Sequence, residues 1–211
     1  MMHLPVTESV PMSIILLDIG NVLVSVDFMP FCRAVAVDPV SGAEEIFRHY
    51  CTGTLKEKLE TGLIAPFEYL AAIARDPLAK ALSLHDLRQE WQNIFEPLEG
   101  ALEAVRLLRE QHAIWIMSDT DPLHFTFLLN HYPVLKEADR YWLSFEHGRM
   151  KSSVEAFSHL LERSGRRGDE FTLIDDKAEN CAAASTAGIR SIQFRSWEDA
   201  LQQLWEQERN G

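Results

Sequence analysis

Short, largely apolar stretches at residues 14–17, 113–117, 141–145, 171–174 and 191–194 read as strands. The first, Ile14-Ile15-Leu16-Leu17, has no polar alternation at all, the pattern of a strand buried on both faces of a parallel sheet. Between these stretches apolar positions recur with helical spacing, predicting helices over 98–111, 122–131, 153–164, 178–187 and 197–208. Strands alternating with helices in this way indicate an α/β fold with a doubly wound, Rossmann-like parallel sheet. Gly188, just past the alanine-rich helix, is placed to end it in the left-handed conformation before the last strand.

Between residues 27 and 97 the pattern changes. Helical spacing recurs at 30–37, 43–51, 54–60, 66–75 and 84–95, broken by Gly53, Gly62, Pro66 and Pro77, and no strand stands out. About seventy helical residues inserted after the first strand predict an all-helical cap over the sheet's carboxyl edge. The expected division is a core of residues 13–26 and 98–211, a cap of 27–97, and a flexible arm of 1–12, with Met12 a candidate initiator. There is no internal repeat.

Composition narrows the functional classes. With 46% hydrophobic and 25% charged residues, the chain of 211 can bury a globular core. A formal charge of −12 argues against nucleic acid as a partner, because a polyanion is repelled over most of the surface. A small anion is still admitted where a cation sits in one cleft. No apolar run approaches a membrane span, and the first residues lack the basic and apolar regions of a signal peptide. Three cysteines, Cys32, Cys51 and Cys181, an odd number without metal-ligand spacing, suit a reducing compartment and read as buried apolar residues. A soluble, cytoplasmic protein is expected, of unassigned oligomeric state. The eight histidines form no zinc pattern. His112, His131 and His159 read as surface or loop residues, and His124 as facing either the cleft or solvent.

Ligands of open parallel sheets bind beyond the carboxyl ends of the strands. Here those ends read Asp18, Ser118-Asp119 and Asp175-Asp176, with Lys151 at the predicted start of the helix between the last two. Each has an ordinary explanation alone: Asp18 could close a turn, Ser118 to Asp121 could cap the next helix, and Lys151 could be a solvated lysine. Together they would bring three carboxylates to one edge, an oxygen-rich site suited to Mg²⁺. Ser118 and a lysine could hold phosphoryl oxygens, and the cation would let an anionic nucleophile approach an anionic substrate.

These residues resemble the haloacid-dehalogenase-like phosphatases. The first motif of that family, a strand followed by Asp-x-Asp-x-(Thr/Val), stands here as Asp18-Ile19-Gly20-Asn21-Val22; the second is matched by Ser118, the third by Lys151, the fourth by Asp175-Asp176. All four occur in order across nearly the whole chain. The Asp-x-Gly-Asn-Val form, Val26-Asp27-Phe28 and the Asp-Asp-x-x-x-Asn ending at Asn180 are most similar to the sugar-phosphatase branch that includes an α-glucose-1-phosphate phosphatase. The resemblance implies Asp18 as the nucleophile that forms an aspartyl-phosphate. It implies Mg²⁺ held by Asp18, the Gly20 carbonyl, Asp175 and Asp176, and a small phosphorylated substrate bound by Ser118, Asp119, Lys151 and Asn21. Asn180 would orient Lys151 or the metal shell.

Two positions depart from the pattern. Gly20 stands where a second aspartate usually protonates the leaving oxygen and activates water, so favoured substrates should carry better leaving groups, such as anomeric, acyl or aryl phosphates. Asp27, Arg33 or His49 could assist. Ser152, rather than proline, follows Lys151, a small change near a helix start. Two alternatives are a halide-releasing hydrolase, disfavoured because displacing halide from carbon has no use for the Asp175-Asp176 pair, and a non-catalytic phospholigand-binding member.

Overall fold

The computed structural model describes residues 13–210; the expected arm at 1–12 lies outside the described residues. Among the described residues the strands in chain order are β1 (Ile14–Leu17), β2 (Val24–Val26), β3 (Phe95–Pro97), β4 (Ala113–Ser118), β5 (Arg140–Leu143), β6 (Phe171–Asp175) and β7 (Arg190–Gln193). Five of them form one parallel sheet in the order β5-β4-β1-β6-β7, with β1 at its centre. The missing alternation in β1 has a direct cause. Ile15 and Leu17 belong to the apolar cluster on one face of the sheet, Ile14 and Leu16 to the cluster on the other. All four are at most 1% exposed, so every position of the strand must be apolar.

Helices α6 (Ala101–Leu108) and α11 (Trp197–Asn210) pack on the Ile15 face, while α9 (Val154–Ser164) and α10 (Ala178–Thr186) pack on the Ile14 face. This is the doubly wound α/β arrangement. After α10, Gly188 takes φ +82° and its N–H returns to the Ser185 carbonyl at 3.0 Å, closing the helix as its position predicts.

The segment between β2 and β3 carries α1 (Met29–Val35), α2 (Ala43–Ile46), a π-helical turn (Phe47–Cys51), α3 (Gly53–Glu60), α4 (Pro66–Arg75) and α5 (Leu84–Gln92). It has an apolar cluster of its own, with Phe31, Val35, Ile46, Leu59, Tyr69, Ile73 and Trp91 fully buried. Two helix starts are set by polar side chains. The Glu68 carboxylate accepts the Ala65 N–H at 2.9 Å before α4, and the Ser83 hydroxyl accepts the Asp86 N–H at 3.1 Å at α5.

Several expectations need correction. The helix expected over 84–95 stops at Gln92, and Phe95–Pro97 pairs antiparallel with Val24–Val26, so a strand does lie within 27–97. Three residues ending in proline carry too little alternation to announce a strand. The strand expected at 141–145 ends at Leu143, where Ser144 opens the short helix α8 (Ser144–His147). His112 is buried rather than on the surface, and of the two placements open to His124 the structure takes the one turned away from solvent. Cys32 and Cys51, 19 residues apart, meet inside the cap with their sulfurs 3.6 Å from each other; all three cysteines are buried and free.

Candidate active site

Three strands deliver polar residues to one end of the sheet. β1 leads directly into Asp18, whose N–H is held by the Ile174 carbonyl of β6 at 3.1 Å. β4 ends on Ser118, 3% exposed, and β6 on Asp175, fully buried. The turn after β1 depends on Asn21, which alone among non-glycine described residues has a left-handed backbone (φ 56°). Its amide fixes the turn from both ends: the oxygen accepts the Val26 N–H at 3.3 Å, and the nitrogen donates to Asp176 Oδ2 at 3.1 Å.

Lys151 is the centre of the arrangement. It lies in the turn that precedes α9 rather than at the helix's first residue, and its backbone N–H is held by the Asp119 carboxylate at 3.0 and 3.2 Å. The side chain is 2% exposed, and Nζ reaches Asp18 Oδ1 at 2.6 Å and Asp175 Oδ2 at 2.5 Å. Burial opposes the charge on Lys151, but the carboxylates of Asp18, Asp175 and Asp119 outweigh it and raise its pKa, so the ammonium stays protonated. One ammonium cannot neutralise three carboxylates. Burial, opposed by Lys151 and reinforced by Asp175, pushes Asp18 up to about 6. Asp119 is likewise raised by burial.

Asp175 and Asp176, equivalent in the sequence, have different surroundings. Asp175 accepts the Lys177 N–H (2.9 Å), both oxygens reach Asn180 Nδ2 (2.9 and 3.1 Å), and Oδ2 also takes Lys151. Its two oxygens thus accept from Lys177, Asn180 and Lys151 together. Asp176 Oδ1, by contrast, is buried with no hydrogen-bond partner among the described residues. One oxygen from each of Asp18, Asp175 and Asp176 lies within 4.8 Å of the others. An orphaned carboxylate oxygen beside surplus negative charge fits a hard divalent cation.

The cleft over these groups has a volume of about 260 Å³, suited to a small metabolite. Asp18, Gly20, Asn21, Ser118, Asp119, Lys151 and Asp176 all line it, while Asp175 stands behind them. Asp27, Arg33 and His49 are not among the lining residues. The Asp27 carboxylate caps the Met29 N–H at 2.9 Å, and His49 faces Asp76 at 3.3 Å. The cap instead contributes Phe28, Lys56 and Glu60, and α7 (Pro122–His131) contributes His124. Sequence reasoning missed Lys56 and Glu60, because an i,i+4 pair of opposite charge is the ordinary signature of a solvated helix face.

The pattern of the haloacid dehalogenase-like hydrolase family matches residues 12–188. The D-ribitol-5-phosphate phosphatase of Bacteroides thetaiotaomicron is 23% identical over 198 residues, which span 90% of this chain and 95% of that protein. A crystal structure of an HAD family enzyme from Bacteroides thetaiotaomicron, in complex with magnesium and inorganic phosphate, superposes with a TM-score of 0.75 at 23% identity, covering 87% of this chain and 94% of the other. A predicted HAD-like family hydrolase from Porphyromonas gingivalis superposes with a TM-score of 0.74 at 21% identity, covering 92% and 98%.

Proposed function

The chain belongs to the haloacid dehalogenase-like hydrolases, and from that premise and the strand-edge geometry we propose that it is a magnesium-dependent phosphatase of a small phosphorylated sugar or polyol. The observation that carries the reading is Lys151, buried between Asp18 and Asp175 at 2.6 and 2.5 Å beside the unpartnered oxygen of Asp176. A nucleophilic carboxylate, a fixed cation and a ligand-poor carboxylate are what phosphoryl transfer to an aspartate requires. The named substrate of the Bacteroides relative supports the substrate class.

Asp18 attacks phosphorus; the bond to the leaving oxygen breaks with its electron pair, and an aspartyl-phosphate forms. Water then attacks that phosphorus, releasing inorganic phosphate and restoring Asp18. Lys151, the Ser118 hydroxyl and the Asp119 backbone hold the phosphoryl oxygens, and Asn21 fixes the turn beside them. Asp175 and Asn180 position Lys151. Asp18, Asp176 and the Gly20 carbonyl would hold Mg²⁺, which supplies charge neutralisation when bound. Gly20 donates no proton, so the leaving oxygen departs more readily the more stable its anion. Among the described residues no helix is long and apolar enough to cross a membrane. The three buried free thiols support a cytoplasmic setting.

The test is phosphate release from a set of sugar, polyol and aryl phosphates with Mg²⁺ and with EDTA. Hydrolysis is expected with Mg²⁺ only, and Asp18→Asn should lower kcat by at least about a thousandfold. Turnover that survives that substitution would refute the nucleophile assignment.

A further inference from the structure

The cleft contains a largely buried ion pair that the phosphoryl chemistry does not use. Helix α3 carries Lys56 and Glu60 on adjacent turns, and the two form a close ion pair inside the cleft, with only 17% and 8% of their side chains exposed. An i,i+4 pair on a solvated face is worth a few tenths of a kcal/mol and needs no burial. Sequestering this one costs desolvation, which calls for a reason beyond helix stability. The helix is brought inward by backbone contact. Gly62, at φ +69°, lies so close to the core that an added Cβ would stand 2.4 Å from the Phe145 carbonyl oxygen. That contact sets the end of α3 against α8, which follows β5 at the carboxyl edge of the sheet.

Around the pair the wall is apolar. Lys56 Nζ lies 5.5 Å from the centre of the Phe28 ring, and Val26, Ile94 and Phe95 line the same cleft. Glu60 uses one carboxylate oxygen on Lys56; its second oxygen and the remaining ammonium protons can serve a ligand. An acceptor and a donor side by side match two neighbouring hydroxyls, and an aromatic face beside them matches the C–H side of a carbohydrate or polyol. We propose that the Lys56–Glu60 pair is the recognition element for vicinal hydroxyls on the leaving group, with Glu60 the specificity-determining acceptor. The proposal rests on the phosphatase reading for its substrate and names the part of that substrate which the cap reads.

Glu60→Gln keeps the size of the side chain and a hydrogen bond to Lys56 while removing the charged acceptor. The ratio of kcat/KM for a pentitol phosphate to that for p-nitrophenyl phosphate, which has no hydroxyls to read, should fall at least tenfold, with the loss mainly in KM for the pentitol ester. An unchanged ratio overturns the proposal, whether both substrates are lost together, as a structural role would give, or neither is. Ligand-observed NMR of free ribitol supplies a readout without turnover: wild type should bind it and Glu60→Gln should not. A protein inert toward every phosphate ester would remove the phosphatase reading alone. A wild-type protein that ignores ribitol, or a variant that binds it equally well, would remove this one.

Discussion

At the scale of single residues the question is what Gly20 costs the chemistry and what it leaves room for. Its φ is outside the left-handed region, which the next residue, Asn21, occupies instead. A Cβ built on Gly20 meets only Val26 Cγ2, at 3.4 Å, an ordinary contact. The site therefore tolerates a side chain it does not have. General acid–base catalysis contributes roughly 10²–10⁴ in rate, so Gly20→Asp should raise kcat for alkyl phosphates by about tenfold or more while changing aryl phosphate turnover much less. Steady-state rates over a leaving-group series would show this as a flattened dependence on leaving-group acidity. An unaltered slope would mean that another group already handles the proton. The same scale separates Asp175 from Asp176. Both were expected at the metal and each offers an oxygen within 4.8 Å of one of Asp18, but Asp175 accepts from Lys151, Lys177 and Asn180 whereas Asp176 keeps an oxygen without a partner. Which of two neighbouring carboxylates faces a cavity follows from where the strand ends, and the sequence alone does not state that.

At the scale of elements, α3 matters through the turn that follows it. Gly62→Ala must both adopt φ +69° with a side chain and push Phe145 away from a 2.4 Å approach, whereas Gly53→Ala, at φ +76°, meets nothing within 4 Å. The left-handed strain alone is on the order of 1–2 kcal/mol, so Gly53→Ala should lower stability by about that much with KM unchanged. Gly62→Ala should lose more stability and also raise KM for a hydroxylated substrate severalfold, because the end of α3 shifts. Urea unfolding together with KM measurements distinguishes the two; equal effects would mean that the contact does not set the cleft. This also marks how far the sequence could be read. β1 was legible because burial on both faces leaves its apolar run no alternative. The bounds of α4 and α7 were legible from Pro66 and from Asp121-Pro122, residues that start helices for local reasons. β3 was not, since Phe95-Glu96-Pro97 is a strand only through its pairing with Val24–Val26. Nor was the inward face of α3, which depends on a backbone contact with a residue 83 positions away in the chain.

At the scale of the whole molecule, the cap and the sheet have separate buried apolar clusters, with Phe95 packed against both and Leu123 of α7 against that of the cap, and a polar network is set into the joint between them. Asp121 caps α7 by accepting the Leu123 and His124 N–H groups at 2.8 and 3.0 Å, and its other oxygen accepts Trp91 Nε1 from α5 at 3.1 Å and faces His124 Nδ1 at 2.8 Å. His124 stacks on Trp91 with ring centres 4.6 Å apart and its Nε2 reaches the Trp91 carbonyl at 2.7 Å. The indole, the imidazole and the carboxylate are all buried. Every group at this joint that faces Asp121 is a donor, so an amide there cannot satisfy them all: Asp121→Asn must turn its NH₂ toward either the helix N–H groups or Trp91 and His124. Breaking a buried pair in this way typically costs ~3 kcal/mol or more, and the urea midpoint should fall accordingly. The pH dependence has a definite sign. Burial raises the Asp121 pKa, but pairing with His124 and the bonds from His124 and Trp91 outweigh it, leaving it below the ordinary carboxylate value. A depressed pKa contributes stability that is complete above the unfolded value of ~3.9 and is lost as pH falls through the folded one. Wild type should therefore lose stability on acidification below about pH 4, and Asp121→Asn should lack that part of the loss. Stability curves for the two proteins that stay parallel down to pH 3 would show that the joint between cap and sheet does not depend on this charge.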